Sequence, residues 1–101
     1  MREFLRGAVR LHILHHGAQG SVHGAWLADE LGRHGYRISP GSLYPTLHKM
    51  EAEGLLRSQS EIVEGRARRS YVATAKGRQV LGETIVQLRE LATEVLGQDA
   101  R

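Results

Sequence analysis

The segment that decides the fold, SPGSLYPTLHKMEAEGLL, spans residues 39–56. Ser39 and Pro40 predict the start of a helix. A hydroxyl at the N-cap can accept from free backbone N–H groups, and proline at the first helical position lacks an N–H that the helix could not use. Apolar residues then recur at spacings of four and three, which predicts one buried stripe: Leu43, Leu47 and Met50. Gly54 predicts the end of the helix.

The face opposite that stripe is free of acidic residues in its first two turns. It carries small, hydroxyl, aromatic and cationic side chains: Gly41, Ser42, Tyr44, Pro45, His48 and Lys49. A short helix with an apolar back and an acid-free front is typical of a helix that reads DNA, because its N-terminal residues enter the major groove and its backbone N–H groups face phosphate. An ordinary amphipathic helix with a solvated face has the same pattern, so both interpretations stay open here.

Composition limits the class of protein. A chain of 101 residues predicts one domain, and its net charge of +3 favours an anionic partner. It has no cysteine, which excludes disulfides, thiol catalysis and cysteine-based zinc sites. We find no apolar run of membrane-spanning length, no signal peptide, and no phosphate loop, nucleophile elbow or H-E-x-x-H motif. We therefore expect a cytoplasmic protein that is not an enzyme and has no membrane partner.

Two helices are predicted ahead of the deciding segment, over residues 2–16 and 22–34, with a loop at 17–21 between them. In the second helix Asp29, Glu30 and Arg33 are expected to face water. Its packing set is expected to be Ala25, Trp26, Leu27, Ala28 and Leu31. A short connector, residues 36–38, then leads into Ser39, so the layout is that of a helix-turn-helix.

A hairpin is predicted after Gly54, with extended segments at 55–63 and 68–73 and a turn at 64–67. A hairpin directly after a helix-turn-helix is a wing. Its tip carries Arg66, Arg68 and Arg69, which suit phosphates or a narrow minor groove. A solvated hairpin with incidental charge is the alternative.

Thr74 predicts the N-cap of a last helix that runs to about Leu96. A heptad-like seam follows, with spacings of four, three, four and three: Leu81, Ile85, Leu88, Ala92 and Val95. We expect this helix to pair with a second copy of the chain, with help from Phe4 and Leu11 of the first helix. The alternative is packing within one subunit only. Residues 1–73 are thus predicted to form the DNA-binding domain and 74–101 a dimerisation helix.

His12 and His16 are one helical turn apart, a workable spacing for metal ligands. Histidines that only make hydrogen bonds are the alternative, so a divalent metal effector stays a hypothesis, and no other cofactor is expected. Trp26 is predicted to be a core residue. A cavity between the first and last helices would instead let it line an effector pocket.

The chain also resembles the PadR-like transcriptional regulators, with the matching residues in the same order along the chain. The resemblance rests on the following residues: His23-Gly24, Ile38 to Pro45, Leu47, Met50, Glu51, Glu53-Gly54-Leu55, Gly65 to Arg69, Tyr71, and Thr74 to Gly77. It implies a homodimeric, mostly repressing DNA-binding regulator. By position, it implies that Ser42, Tyr44, Pro45 and Thr46 lie at the DNA surface, with His48 and Lys49 one turn further on.

The sequence as a whole predicts a mainly α-helical winged helix-turn-helix with a small β-hairpin and a long C-terminal helix. The predicted function is that of a repressor that binds a near-palindromic operator and responds to a small-molecule or metal effector. The predicted DNA-binding residues are Ser39, Gly41, Ser42, Tyr44, Pro45, Thr46, His48, Lys49, Arg66, Arg68 and Arg69. A winged-helix module that binds another protein is the competing class, and the cations of the wing argue against it.

Overall fold

Four helices and three strands make up the computed structural model, which describes residues 1–97. In chain order they are α1 (Arg2–Gln19), β1 (Val22–His23), α2 (Gly24–Arg33), α3 (Pro40–Ala52), β2 (Leu56–Val63), β3 (Arg66–Ala73) and α4 (Ala75–Leu96). The predicted mainly helical architecture with a hairpin and a long last helix is confirmed. The last four residues of the predicted segment 74–101 lie outside the described residues.

Glycines end the two helices of the helix-turn-helix where the sequence places them. Gly54 has a φ of +79°, and Gly35 at the end of α2 has a φ of +89°. At the end of α3 the N–H of Leu55 donates to the carbonyl of Met50 (2.9 Å). The N–H of Gly54 donates to the carbonyl of Glu51 (2.9 Å). This pair of bonds satisfies the last carbonyls of the helix and requires a left-handed residue, which glycine adopts without strain.

Two boundaries before α2 differ from the prediction. The first helix continues to Gln19, so the predicted loop at 17–21 is half helical. Val22 and His23 are not helical, because they pair antiparallel with Tyr71 and Ser70 of β3. The backbone groups at the free side of β3 thus find partners almost fifty residues earlier in the chain, and no local pattern predicts such a contact.

The sheet has the strand order β1-β3-β2, and all its pairs are antiparallel. The turn between β2 and β3 contains only Glu64 and Gly65, whose φ angles are +51° and +76°. Two consecutive residues with positive φ are the geometry of a tight type I′ hairpin. The predicted four-residue turn at 64–67 is therefore wrong: Arg66 pairs with Val63 inside the ladder.

The core collects side chains from α1, α2, α3, β2 and β3. Its buried members are Ile13, Leu14, Leu27, Leu31, Leu43, Leu47, Met50, Leu55, Leu56 and Tyr71. The stripe predicted for α3 is confirmed in full.

The packing set predicted for α2 is only partly confirmed. Trp26 is 44% exposed and Ala25 is also exposed, whereas Glu30 is buried at 9% exposure. Leu27 and Leu31 of this short helix are buried in the core, and Ala28 packs against it. The prediction that Glu30 faces water is wrong, because Glu30 packs beside His16 of α1 and His34 at the α2 C-terminus.

α4 begins with the predicted cap, since the Thr74 hydroxyl accepts from the N–H of Gly77 (3.0 Å). Gly77 is the one fully buried residue of this helix. A Cβ at position 77 would lie 2.1 Å from the carbonyl oxygen of Leu55, so the two backbones are in direct contact there. Within residues 1–97, no helix has the length and apolarity needed to cross a membrane.

We expect Gly77→Ala to lower the free energy of unfolding by about 1–3 kcal/mol, because the added methyl group must push two backbone segments apart. Gly82→Ala in the same helix is the matched control, since a Cβ there meets nothing within 4 Å. Gly82→Ala should raise the free energy of unfolding by about 1 kcal/mol, because alanine has a higher helix propensity than glycine. Urea denaturation at one fixed protein concentration measures both, and equal effects of the two changes would contradict the close contact.

Candidate nucleic-acid interface

The buried stripe of α3 fixes the direction of every other side chain on that helix. Leu43, Leu47 and Met50 are each at most 1% exposed. With 3.6 residues per turn, Gly41, Pro45 and His48 then point away from the core, and all three are exposed. Ser42, Thr46 and Lys49 lie on one flank of this outward face, and Tyr44 and Glu51 lie on the other. The predicted DNA-binding residues of α3 therefore share one surface.

Ser39 holds the N-cap position of α3 with an extended backbone, but its side chain makes no capping hydrogen bond. Its hydroxyl lies 3.5 Å from that of Ser42 instead. The predicted hydroxyl cap is therefore wrong. Thr46 donates its own hydroxyl to the carbonyl of Ser42 (2.8 Å), which leaves the Thr46 oxygen free to accept a bond.

The ring of Tyr44 rests on the backbone at the start of α2. A Cβ at Gly24 would lie 2.7 Å from Cε1 of Tyr44 and 2.9 Å from its hydroxyl oxygen. Only glycine leaves room for the ring in this position. The sequence marks His23-Gly24 as part of a family pattern, and this contact supplies a physical reason for its glycine.

A second contact joins α3 to the wing. Glu51 accepts hydrogen bonds from the backbone N–H (3.2 Å) and the hydroxyl (2.5 Å) of Ser58 on β2. These bonds, with smaller contributions from Arg69 and His48, hold the pKa of Glu51 below its usual range. Sequence reasoning missed this contact, because the partner of Glu51 is set by how the strand packs against α3.

The three arginines predicted for the wing tip are exposed, but they do not share one face. Side chains alternate along a strand, so Arg66 and Arg68 lie on one side of β3 and Arg69 on the side of Tyr71. Arg66 is next to the turn, and Arg68 stands opposite Glu61 of β2.

The histidines of α1 meet α2 around Glu30. Nε2 of His16 (3.3 Å) and Nε2 of His34 (3.1 Å) lie next to one carboxylate oxygen of Glu30, and Arg33 lies 3.4 Å from the other. The rings of His12 and His16 are stacked at 6.2 Å. In the described part of the chain, no group of three or more histidine, cysteine or acidic side chains is arranged to hold a metal ion. The structure therefore places His16 and His34 beside the Glu30 carboxylate, and His12 in ring contact with His16.

Trp26 lies beside this cluster, with its ring edge-on to that of His16 at 5.1 Å.

The residues predicted to form the dimer contact are largely accessible in a single subunit. Phe4, Leu88 and Val95 are 49%, 43% and 70% exposed. Leu11, Leu81, Ile85 and Ala92 are half-buried.

The free energy of unfolding should fall as the pH drops from 7 to 5. Burial, followed by repulsion from neighbouring histidines, lowers the pKa of His12 and His16 from their ordinary value of 6.5. The unfolded chain therefore takes up protons below pH 6.5 that the folded chain does not, and stability is lost in that window.

Replacing His12 with glutamine should make the free energy of unfolding depend less on pH than it does in the wild-type chain. Thermal or urea unfolding at pH 7, 6 and 5 measures the difference. Stability of the wild-type chain that is constant or rises on acidification would contradict the expectation.

Comparisons with known proteins agree with this arrangement. The model of the transcriptional regulator PadR-like family matches residues 13–83. Transcriptional regulator Rv3488 of Mycobacterium tuberculosis is 66% identical over 97 residues, which cover 96% of this chain and 91% of that protein.

Among solved structures, a PadR-like transcriptional regulator from Bacillus cereus is 31% identical with a TM-score of 0.85, and the match covers 94% of each chain. Bacillus subtilis PadR in complex with operator DNA has a TM-score of 0.71 at 19% identity, over 78% of this chain and 47% of that one, which shows a shared fold alone. The chain belongs to the PadR-like family of transcriptional regulators, and it is a regulator rather than an enzyme.

Proposed function

We propose that this chain is a cytoplasmic, homodimeric repressor that binds a near-palindromic operator with α3 in the major groove. The observation that carries the proposal is the outward face of α3, which is rigidly oriented by a buried stripe and has no acid in its first two turns. Bacillus subtilis PadR, which shares the fold, has been solved with operator DNA. Repression would follow from occlusion of the promoter.

Few side chains on α3 can read bases. Ser42, His48 and Lys49 carry donors, and the oxygen of Thr46 can accept. Much of the affinity must then come from phosphates and DNA shape. Tyr44 suits a phosphate, because its ring is seated on Gly24 and its hydroxyl can donate.

Arg66 and Arg68 share one side of the wing and supply cations for a backbone contact beyond the helix. Arg69 lies on the opposite face, near Tyr71, where it also contributes to the low pKa of Glu51. We therefore assign the wing's phosphate contact to the first two arginines.

Fluorescence anisotropy on the chain's own upstream DNA, across a salt series and with unrelated duplex as competitor, tests DNA binding. We expect log K to fall linearly with log[salt], and Arg68→Ala to make the slope shallower by about 0.9, because one phosphate contact is lost. Tyr44→Phe should weaken binding about tenfold, since a hydrogen bond to a charged group is worth about 1.5–3 kcal/mol. Arg89→Ala, on exposed α4, is the control.

Binding that is equal for both duplexes would contradict a specific operator. Absence of binding at low salt, where the electrostatic attraction is strongest, would contradict the regulator and favour a protein-interaction module.

The exposed apolar face of α4 supports the proposed dimer. Its large side chains include Leu88, Leu91 and Val95, each between 43% and 70% exposed. Burying one such side chain contributes about 1.5–3 kcal/mol. An effector that relieves repression would have to bind one arrangement of the two DNA-binding heads better than the other.

Light scattering at micromolar concentration should give the mass of two chains. Leu88→Glu should shift the mass toward one chain, because it places a charge in the seam. Gln87→Glu introduces the same side chain one position away, off the seam, and should remain dimeric. A monomeric wild-type chain would show that the dimer is wrong.

A further inference from the structure

A second cationic surface lies beside α3, away from the wing. It is a cleft of about 910 Å³ between the N-terminal half of α1, the connector at 34–39 and α3, and we call it the α1–α3 cleft. Its cationic lining residues are Arg6, Arg10, Arg37 and Lys49. No aspartate or glutamate of the described residues lines it.

Three of these cations have no acidic partner within residues 1–97. Arg10 forms an ion pair with Glu53 at the end of α3, but Arg6, Arg37 and Lys49 are exposed and take part in no ion pair of the described chain. Uncompensated cations around a concave surface attract an anion. The cleft therefore has charge that the fold itself does not use.

The position of the cleft relative to α3 identifies the anion. Ser42, Thr46 and Lys49 line the cleft and lie on one flank of the helix. Glu51, on the opposite flank, is bonded to Ser58 of the wing. The outward face of α3 is thus bordered by the wing on one side and by the cleft on the other.

A helix in the major groove, which is about 12 Å wide, has a phosphate strand on each side. We propose that the α1–α3 cleft binds the phosphodiester backbone on the side of the groove opposite the wing, with Arg6 and Arg37 as the phosphate contacts. This proposal rests on the proposed function and extends the DNA contact from the helix and wing to α1 and the connector. Leu5 and Val9 in the same cleft would also suit the apolar face of α4 from a second copy, and the experiment separates that occupant from DNA.

The experiment compares Arg6→Gln, Arg37→Gln and the double variant of the full chain on its upstream duplex. Arg68→Gln on the wing is the positive control, and Arg89→Gln on α4 is the matched negative control. We expect each single variant to make the slope of log K against log[salt] shallower by about 0.9, and the double variant by about twice that. Affinity for an unrelated duplex should fall by the same factor, because phosphate contacts carry no sequence information.

Ethylation interference locates the phosphates that the chain contacts on each side of the major groove. The wild-type chain should show interference at phosphates on both sides of the groove in each half-site, and the double variant should lose one of the two sets. Light scattering on the same samples should show an unchanged dimer.

Three results would overturn the proposal. An unchanged salt slope in the double variant, with a shallower slope for Arg68→Gln, would remove the cleft from the DNA contact and leave the proposed function intact. A double variant that becomes monomeric would make the cleft a subunit interface. A wild-type chain that binds no DNA at low salt would overturn the proposed function together with this extension of it.

Discussion

The burial of three residues of α3 is the constraint on which the rest of the interface depends. Leu43, Leu47 and Met50 contact a core built from the other elements of the domain, so α3 cannot rotate about its axis without exposing one of them. Deleting one such side chain typically costs about 2–5 kcal/mol. The same three contacts that stabilise the fold therefore determine which side chains of α3 face outward.

Two short contacts join α3 to its neighbours, one to α2 and one to the wing. The Tyr44 ring lies on Gly24, and Glu51 accepts two bonds from Ser58. Both contacts leave the outward face untouched. On the opposite flank Arg10 of α1 pairs with Glu53 at the end of α3, whereas Arg6 and Arg37 form no ion pair among residues 1–97 and stay accessible in the α1–α3 cleft. α4 meets this core through Gly77, Val80 and Leu81, and its large apolar side chains further along the helix are exposed.

Local sequence predicts the elements whose ends are set by local chemistry. Pro40, Gly54 and Thr74 place the ends of α3 and the start of α4, because proline, a left-handed glycine and a hydroxyl cap each act within one helical turn. Long-range contacts are where sequence reasoning fails. Val22-His23 becomes a strand only because β3 offers free backbone groups, and Glu30 is buried only because histidines of α1 meet it. Trp26, on so short a helix, stays at the surface.

Hydroxyl-radical footprinting on the chain's upstream DNA tests the orientation of α3 most directly. Two symmetric heads that each insert one helix should protect two segments about one helical turn, or ~34–36 Å, apart on one face of the duplex. We expect this paired pattern for the wild-type chain. A single protected segment, or uniform weak protection along the duplex, would contradict a dimer that places its two α3 helices in successive major grooves.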